Sequence, residues 1–364
     1  MKEKKKQSKS ALNLMDGIEE PPQMNEDLLK QMRKKKGSAE IDLDQLYQGI
    51  INGDRVLLSK AITLAESNLE QHQQAARTLV DRCLPHAGKS VRIGVTGVPG
   101  VGKSTFIEAM GMHLIAAGHK IAVLAVDPSS QRSKGSILGD KTRMESLSAE
   151  ANAFIRPSPS SGALGGVARK TRETIVLCEA AGYDIIFVET VGVGQSEIVV
   201  KSMTDFFLLL VLAGAGDELQ GIKRGIMEMA DSIVIHKADE DNLKRAQVKV
   251  ITYENALHLF PPSDSGWIPK SIDCSSITGY HIPEIWEIIE EYTSFTRNNN
   301  FFEHNRQEQE VARLHQTLEE YLRTSFYNNP DIKELIKDFE ALIRLRKISP
   351  YQAAGELISK HKQK

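Results

Sequence analysis

Residues Gly97-Val98-Pro99-Gly100-Val101-Gly102-Lys103-Ser104 directly follow the apolar run Val91-Arg92-Ile93-Gly94-Val95. The order predicts a short strand, a glycine-rich turn, and then a helix from Thr105 to Ala117. Few folds accept it: Gly-x-x-x-x-Gly-Lys-Ser between a strand and a helix is a phosphate-binding loop of an α/β protein. The glycines let successive backbone N–H groups point into one concavity, and Lys103 carries a point charge to the outer phosphates. The Ser104 hydroxyl offers an oxygen to Mg²⁺. Thr105 opens a helix whose positive N-terminal end faces the same anion. Gly97 through Thr105 are therefore candidate nucleotide-binding residues, and Lys103 is also a catalytic candidate.

Between Val91 and Trp286 short apolar runs alternate with helical stretches, which predicts a mostly parallel sheet with helices on both faces. The runs are Ile121 to Val126, Ile185 to Val188, Phe206 to Leu212 and Ser232 to Ile235. Each ends in polar or glycine-containing sequence, and ligands of open α/β sheets gather at such strand ends. With 364 residues and 41% hydrophobic content, the chain has material for one such domain plus helical additions. We divide it into a Lys-rich flexible tail (1–39), an N-terminal helical segment (40–86) broken at Asn52-Gly53-Asp54, a P-loop domain (87–295) and a C-terminal helical arm (296–364). Arg297-Asn298-Asn299-Asn300 reads as the linker into that arm. Val311, Leu314, Leu318, Tyr321 and Leu322 form one apolar stripe there, and Ile332, Leu335, Ile336, Phe339, Leu342 and Ile343 a second. Such faces pack either on their own domain or on a second subunit.

Forty-six basic against 48 acidic residues give a formal charge of −2, so no net field favours nucleic acid or an anionic membrane. No apolar stretch approaches membrane-spanning length, and the start is not a signal peptide. Cys83, Cys178 and Cys274 show no paired spacing, which argues for a reducing compartment. The expectation is a cytoplasmic protein without a nucleic-acid or membrane partner.

Phosphoryl transfer needs a carboxylate for Mg²⁺ and a sensor of the γ-phosphate, both at strand ends beside the loop. Asp127 and Glu189 are the carboxylates in that position, as catalytic and metal candidates, and Gly192 can offer its backbone N–H to the γ-phosphate. Val193 stands where many GTPases carry a water-orienting glutamine, so hydrolysis by the isolated protein should be slow. His236-Lys237-Ala238-Asp239 occupies the place of an Asn-Lys-x-Asp motif. Asp239 can accept from guanine N1–H and the exocyclic amine, which adenine does not offer. His236 replaces the asparagine only in part, since a neutral imidazole has one donor and one acceptor. Ser275-Ser276-Ile277, after the next expected strand, supplies backbone N–H groups for guanine O6.

At Gly97 to Thr105, Asp127-Pro128-Ser129-Ser130, Gly139-Asp140-Lys141-Thr142-Arg143-Met144, Glu189-Thr190-Val191-Gly192-Val193-Gly194-Gln195-Ser196 and Ala215-Gly216-Asp217-Glu218-Leu219-Gln220-Gly221-Ile222-Lys223, the chain resembles the MeaB/ArgK group of P-loop GTPases. That group includes the human protein of the cobalamin A complementation group. The resemblance implies a homodimeric GTPase that binds GTP or GDP with Mg²⁺. It also implies a chaperone role: gating adenosylcobalamin delivery to methylmalonyl-CoA mutase or a related acyl-CoA mutase, and protecting or reactivating it. It places Asp127, Asp140 and Glu189 in or near the metal shell beside Ser104, and makes 214–223 a switch loop. His236 departs from the asparagine of the family. Two other readings are a P-loop kinase, for which neither an acceptor pocket nor an Arg-rich lid is evident, and a nickel-insertion GTPase, for which the Cys/His cluster is lacking.

Overall fold

The computed structural model describes residues 41–126, 144–157, 164–190, 196–213 and 224–362. The whole of the expected tail lies outside them, and residues 43–364 form one compact unit. Three helices come first: α1 (Leu43–Ile51), α2 (Arg55–Glu66) and α3 (Glu70–Cys83). The break between α1 and α2 falls where expected. Gly53 takes φ 73°, and the Asp54 carboxylate caps α2 by accepting from the N–H groups of Val56 (2.8 Å) and Leu57 (3.0 Å).

Seven strands follow: β1 (Val91–Gly97), β2 (Ile121–Val126), β3 (Ala153–Arg156), β4 (Ile185–Thr190), β5 (Phe206–Leu212), β6 (Ser232–His236) and β7 (Lys270–Asp273). They lie in the order β3-β2-β4-β1-β5-β6-β7, every neighbouring pair parallel. β2 and β4 are buried at every residue and β5 at all but its last, as strands covered on both faces must be. The expected parallel α/β sheet is thus present. The four-residue edge strand β3 was not legible, because Ala153-Phe154-Ile155-Arg156 is too short to stand out by periodicity.

The connecting helices are α4 (Lys103–Ala116), α5 (Glu145–Ala149), α6 (Leu164–Ala180), α7 (Ser196–Lys201), α8 (Arg224–Met229) and α9 (Leu243–Leu257), followed by α10 (Ile282–Asn298). Because side chains alternate along a strand, each face collects its own core. On one face Phe106, Ile107 and Met110 of α4 and Ile285 and Ile289 of α10 pack with Ile93, Val123, Phe187 and Leu208. On the other, Met227 of α8 and Ala246, Tyr253 and Leu257 of α9 pack with Leu209, Val211, Ile233 and Ile235. The N-terminal helices rest on α6.

The C-terminal helices are α11 (Phe301–Asn328), α12 (Pro330–Arg344) and α13 (Pro350–Lys362). The Arg297–Asn300 segment, read as a linker, is instead the end of α10 and the cap of α11. Asn300 takes φ 64°, Asn299 Oδ1 accepts from the Phe301 N–H (3.0 Å), and Asn299 Nδ2 donates to the Ser265 carbonyl (2.8 Å). The root of α11 is then locked to the sheet. Arg306 donates to both oxygens of the buried Asp205 (2.8 and 2.7 Å) and to the carbonyls of Gly88 (2.6 Å) and Ser90 (2.7 Å). Burial alone would lower the Arg306 pKa, but its hydrogen bonds to Asp205 and the charges of Asp205, Glu179 and Glu303 together outweigh burial and raise it. No helix among the described residues is long and apolar enough to cross a membrane.

Candidate functional site: a phosphate loop pinned by a histidine

β1 lies between β4 and β5 and runs straight into the glycine-rich loop. Two loop glycines are required by space as well as by backbone. Gly97 takes φ 151°, and a Cβ there would stand 2.5 Å from the Leu210 carbonyl oxygen; Gly102 takes φ 101°, and a Cβ there would stand 2.7 Å from the His236 ring. Gly102 caps α4 without a side-chain hydrogen bond, so no cap side chain competes for the first N–H groups of the helix.

Lys103 is buried, and its Nζ donates to the Gly97 carbonyl (2.8 Å). That bond holds the ammonium against the loop. The next residue, Ser104, donates from Oγ to Glu189 Oε1 (3.1 Å). Glu189 is itself buried within β4, in register with Val95 of β1 and Ala125 of β2. Behind it the Thr190 hydroxyl donates to Thr96 Oγ1 (3.0 Å), tying the ends of the two strands.

A hydroxyl and a carboxylate meeting at the first turn of α4 form a hard-oxygen pair of the kind Mg²⁺ takes alongside phosphate oxygens and water. The donor set fits that ion. Among the described residues no group of three or more His, Cys, Asp or Glu is arranged to hold a metal without such help. Asp127, Asp140 and Gly192 lie outside the described residues.

The base side is built at the ends of β6 and β7. His236 is buried at the end of β6, its Nδ1 2.8 Å from the Val101 carbonyl oxygen and its Nε2 2.6 Å from Ser276 Oγ. A carbonyl only accepts, so Nδ1 carries a proton, and in the neutral ring Nε2 accepts from the serine hydroxyl. Burial lowers the His236 pKa, Lys237 adds to that, and the Val101 bond and Asp239 only partly oppose it. Both nitrogens are engaged within the chain, so His236 replaces the asparagine in one respect only: it pins the phosphate loop.

Lys237 adds a second pin. It takes φ 61° and donates from Nζ to the Gly100 carbonyl (2.9 Å). Asp239 accepts from the Ser275 hydroxyl, and the Ala238 N–H donates to the Cys274 carbonyl (2.9 Å), which zips β6 to the loop after β7. The Ser275 N–H is taken by the Tyr280 carbonyl (3.1 Å), so of the donors expected to face guanine O6 the structure leaves those of Ser276 and of Ile277, whose side chain is 81% exposed. Val98 and Pro99 lie within the loop, with Val101 N–H donating to the Val98 carbonyl (3.2 Å), and Thr105 sits in the first turn of α4. Sequence reasoning missed the Thr96–Thr190 pair and the hydroxyl roles of Ser275 and Ser276. No spacing rule marks a hydroxyl whose partner is about 40 or more residues away in the chain.

Residues 58–331 match the family described as methylmalonyl-CoA mutase-associated GTPase MeaB. The chain is 44% identical over 318 residues to the GTPase ArgK of Escherichia coli, covering 87% of this chain and 96% of that protein. It is likewise 44% identical over 332 residues to the mitochondrial methylmalonic aciduria type A homolog of Mus musculus, covering 88% and 80%. A crystal structure described as an LAO/AO transport system kinase superposes with a TM-score of 0.70 at 38% identity, covering 90% of this chain and 99% of that one. Together with the fully parallel sheet and the pinned loop between β1 and α4, these matches establish that the chain belongs to the MeaB family of P-loop GTPases.

Proposed function

We propose that the protein hydrolyses GTP to GDP and phosphate, and that it serves adenosylcobalamin-dependent methylmalonyl-CoA mutase or a related acyl-CoA mutase as a chaperone. In that role it gates cofactor delivery and protects or reactivates the mutase. The observation that carries the hydrolytic half is the cluster of Lys103, Ser104 and Glu189 at the mouth of a loop whose glycines keep its backbone open. The client half is supported by the family to which the chain belongs and by the description of the mouse relative.

In this reading the N–H groups of the loop and the first turn of α4 hold the phosphates, and Lys103 places its charge at the outer ones. Ser104 and Glu189, with Asp127 and Asp140, would hold Mg²⁺, which when bound neutralises charge on the β- and γ-phosphate oxygens. Asp239 accepts from the guanine edge, held in orientation by Ser275. A valine side chain at position 193 has no polar group with which to orient a water, so turnover is slow until the mutase accelerates it. Dimerisation with a second copy uses the open stripe of α11, which runs from Val311 to Leu322. The working compartment is the cytoplasm.

Phosphate release from GTP by the purified protein, with and without its mutase, tests the proposal. Slow release that accelerates with the mutase, and that falls at least about 100-fold in Lys103→Ala, is expected. The description of the structural relative as a kinase favours a second reading, phosphoryl transfer to a small molecule or protein. Turnover unchanged by the mutase, with phosphate appearing stoichiometrically on an acceptor, would establish that alternative.

A further inference from the structure

A groove of about 630 Å³ lies between α6, the end of α7 and the C-terminal half of α11, away from the phosphate loop. Its volume is that of a small-molecule site. Four arginines line it: Arg169 and Arg172 from α6, Arg313 and Arg323 from α11. Two of them are poorly provided for by the chain itself.

Arg172 is 8% exposed, yet its hydrogen-bond partners are neutral. Nη1 donates to Gln316 Oε1 (2.5 Å) and Nη2 to Ser202 Oγ (2.7 Å). Burial, and after it the like charge of Arg313, lower its pKa, with Glu310 opposing. Arg169 shows a plainer deficit: its Nε is buried with no hydrogen-bond partner, and Glu173 Oε1 at 3.9 Å is beyond hydrogen-bond reach. An unmet buried donor leaves the Arg169 guanidinium short of acceptor charge, which an oxyanion entering the groove would supply to the group as a whole.

The charge balance narrows the ligand. Glu319 and Glu320 also line the groove, Glu310 pairs with Arg313 at 3.4 Å, and Glu173 stands behind Arg169. The four arginines and these four glutamates cancel in number, so the two charges of a phosphate monoester are disfavoured more strongly than the single charge of a carboxylate. Ala168, Val199 and the ring of Tyr327 supply apolar wall. We propose that this groove binds a small organic carboxylate, its oxygens taken by the guanidiniums of Arg169 and its neighbours and its aliphatic body lying against Ala168, Val199 and Tyr327.

Occupancy bears on the nucleotide end of the molecule by a short route. Ser202, the partner of Arg172, follows α7 directly, and α7 packs on β4 and β1, the strands that carry Glu189 and the phosphate loop. The groove goes beyond the proposed GTPase and client roles, and its test does not depend on turnover.

The test uses the full chain saturated with GDP and Mg²⁺, so that the phosphate loop is filled before any anion is added. Butyrate at about 10 mM, against sodium chloride of equal ionic strength, should raise the thermal midpoint of the wild type by about 2 °C. Arg169→Met should abolish that rise. Arg323→Met, a change on the exposed rim that leaves the fold intact, should reduce it by at least half. No rise in the wild type, or an equal rise in Arg323→Met, overturns the site. A rise produced by inorganic phosphate and not by butyrate, lost in the same variants, overturns the carboxylate assignment.

Discussion

Two apolar stripes are written into the C-terminal helices with the same spacing, yet they end in opposite surroundings. On α12, Ile332 and Phe339 are buried and Leu335, Ile336, Leu342 and Ile343 partly so, in the packing of α12 with α11 and α13. On α11, Leu314 is 57% exposed and Tyr321 67%, with Val311, Leu318 and Leu322 equally open. Spacing marks a face as apolar but does not say which chain covers it. The difference is sharpest within α11 itself, where Phe302 and Arg306 at the root are closed against the sheet while the stripe one to two turns later is bare.

The largest stability effect is expected at the closed root of α11. Arg306→Ala strands the buried carboxylate of Asp205 and should cost about 3–5 kcal/mol in chemical denaturation; a loss under about 1 kcal/mol would show the root to be as open as the stripe. Deleting everything from Phe301 would strand Asp205 in the same way, so truncation there confounds folding with assembly. Phe339→Ala should cost about 3 kcal/mol by opening a cavity under α12. Leu314→Glu combined with Leu318→Glu should change the stability of the subunit by less than about 0.5 kcal/mol, but convert the proposed dimer to monomers in light scattering. An unchanged mass would remove α11 as the interface.

The smallest expected effect concerns His236, which is 2% exposed. Its folded pKa is lowered below the ordinary 6.5, so the unfolded chain binds a proton that the folded chain refuses. Stability from this group is therefore full above about pH 6.5 and falls as pH drops below that value. His236→Gln keeps a donor for Val101 and an acceptor for Ser276 but does not titrate, so its thermal midpoint should fall less on acidification. Comparing the two curves cancels the buried carboxyls of Asp231 and Glu173, which burial pushes upward in both proteins. Parallel curves would mean that the ring is not held neutral.

Much of the site was legible because its demands are local. A strand, a turn whose glycines must take positive φ, and a helix N-terminus are consecutive in the chain, so Gly97 to Ser104 declare themselves. The role of His236 was only half legible. Its residue type excludes the full work of an asparagine, but its position 2.8 Å from the Val101 carbonyl depends on β5 bringing β6 within reach of the loop after β1. Edge strand β3 and the Asn299–Asn300 corner escaped for a related reason: four residues, or two, carry too little periodicity to be seen until their neighbours are in place.

The sequence by itself determined the parallel α/β class, the phosphate loop and the apolar faces of the arm, since backbone conformation and side-chain period are properties of neighbouring residues. Only the tertiary structure decided which long-range groups meet: Ser104 with Glu189, His236 with Val101 and Ser276, Arg306 with Asp205, and the arginines of α6 with those of α11. Hydrogen bonds and ion pairs act over a few ångströms, and partners 40 to more than 100 residues apart come within that range only when the sheet order has been set.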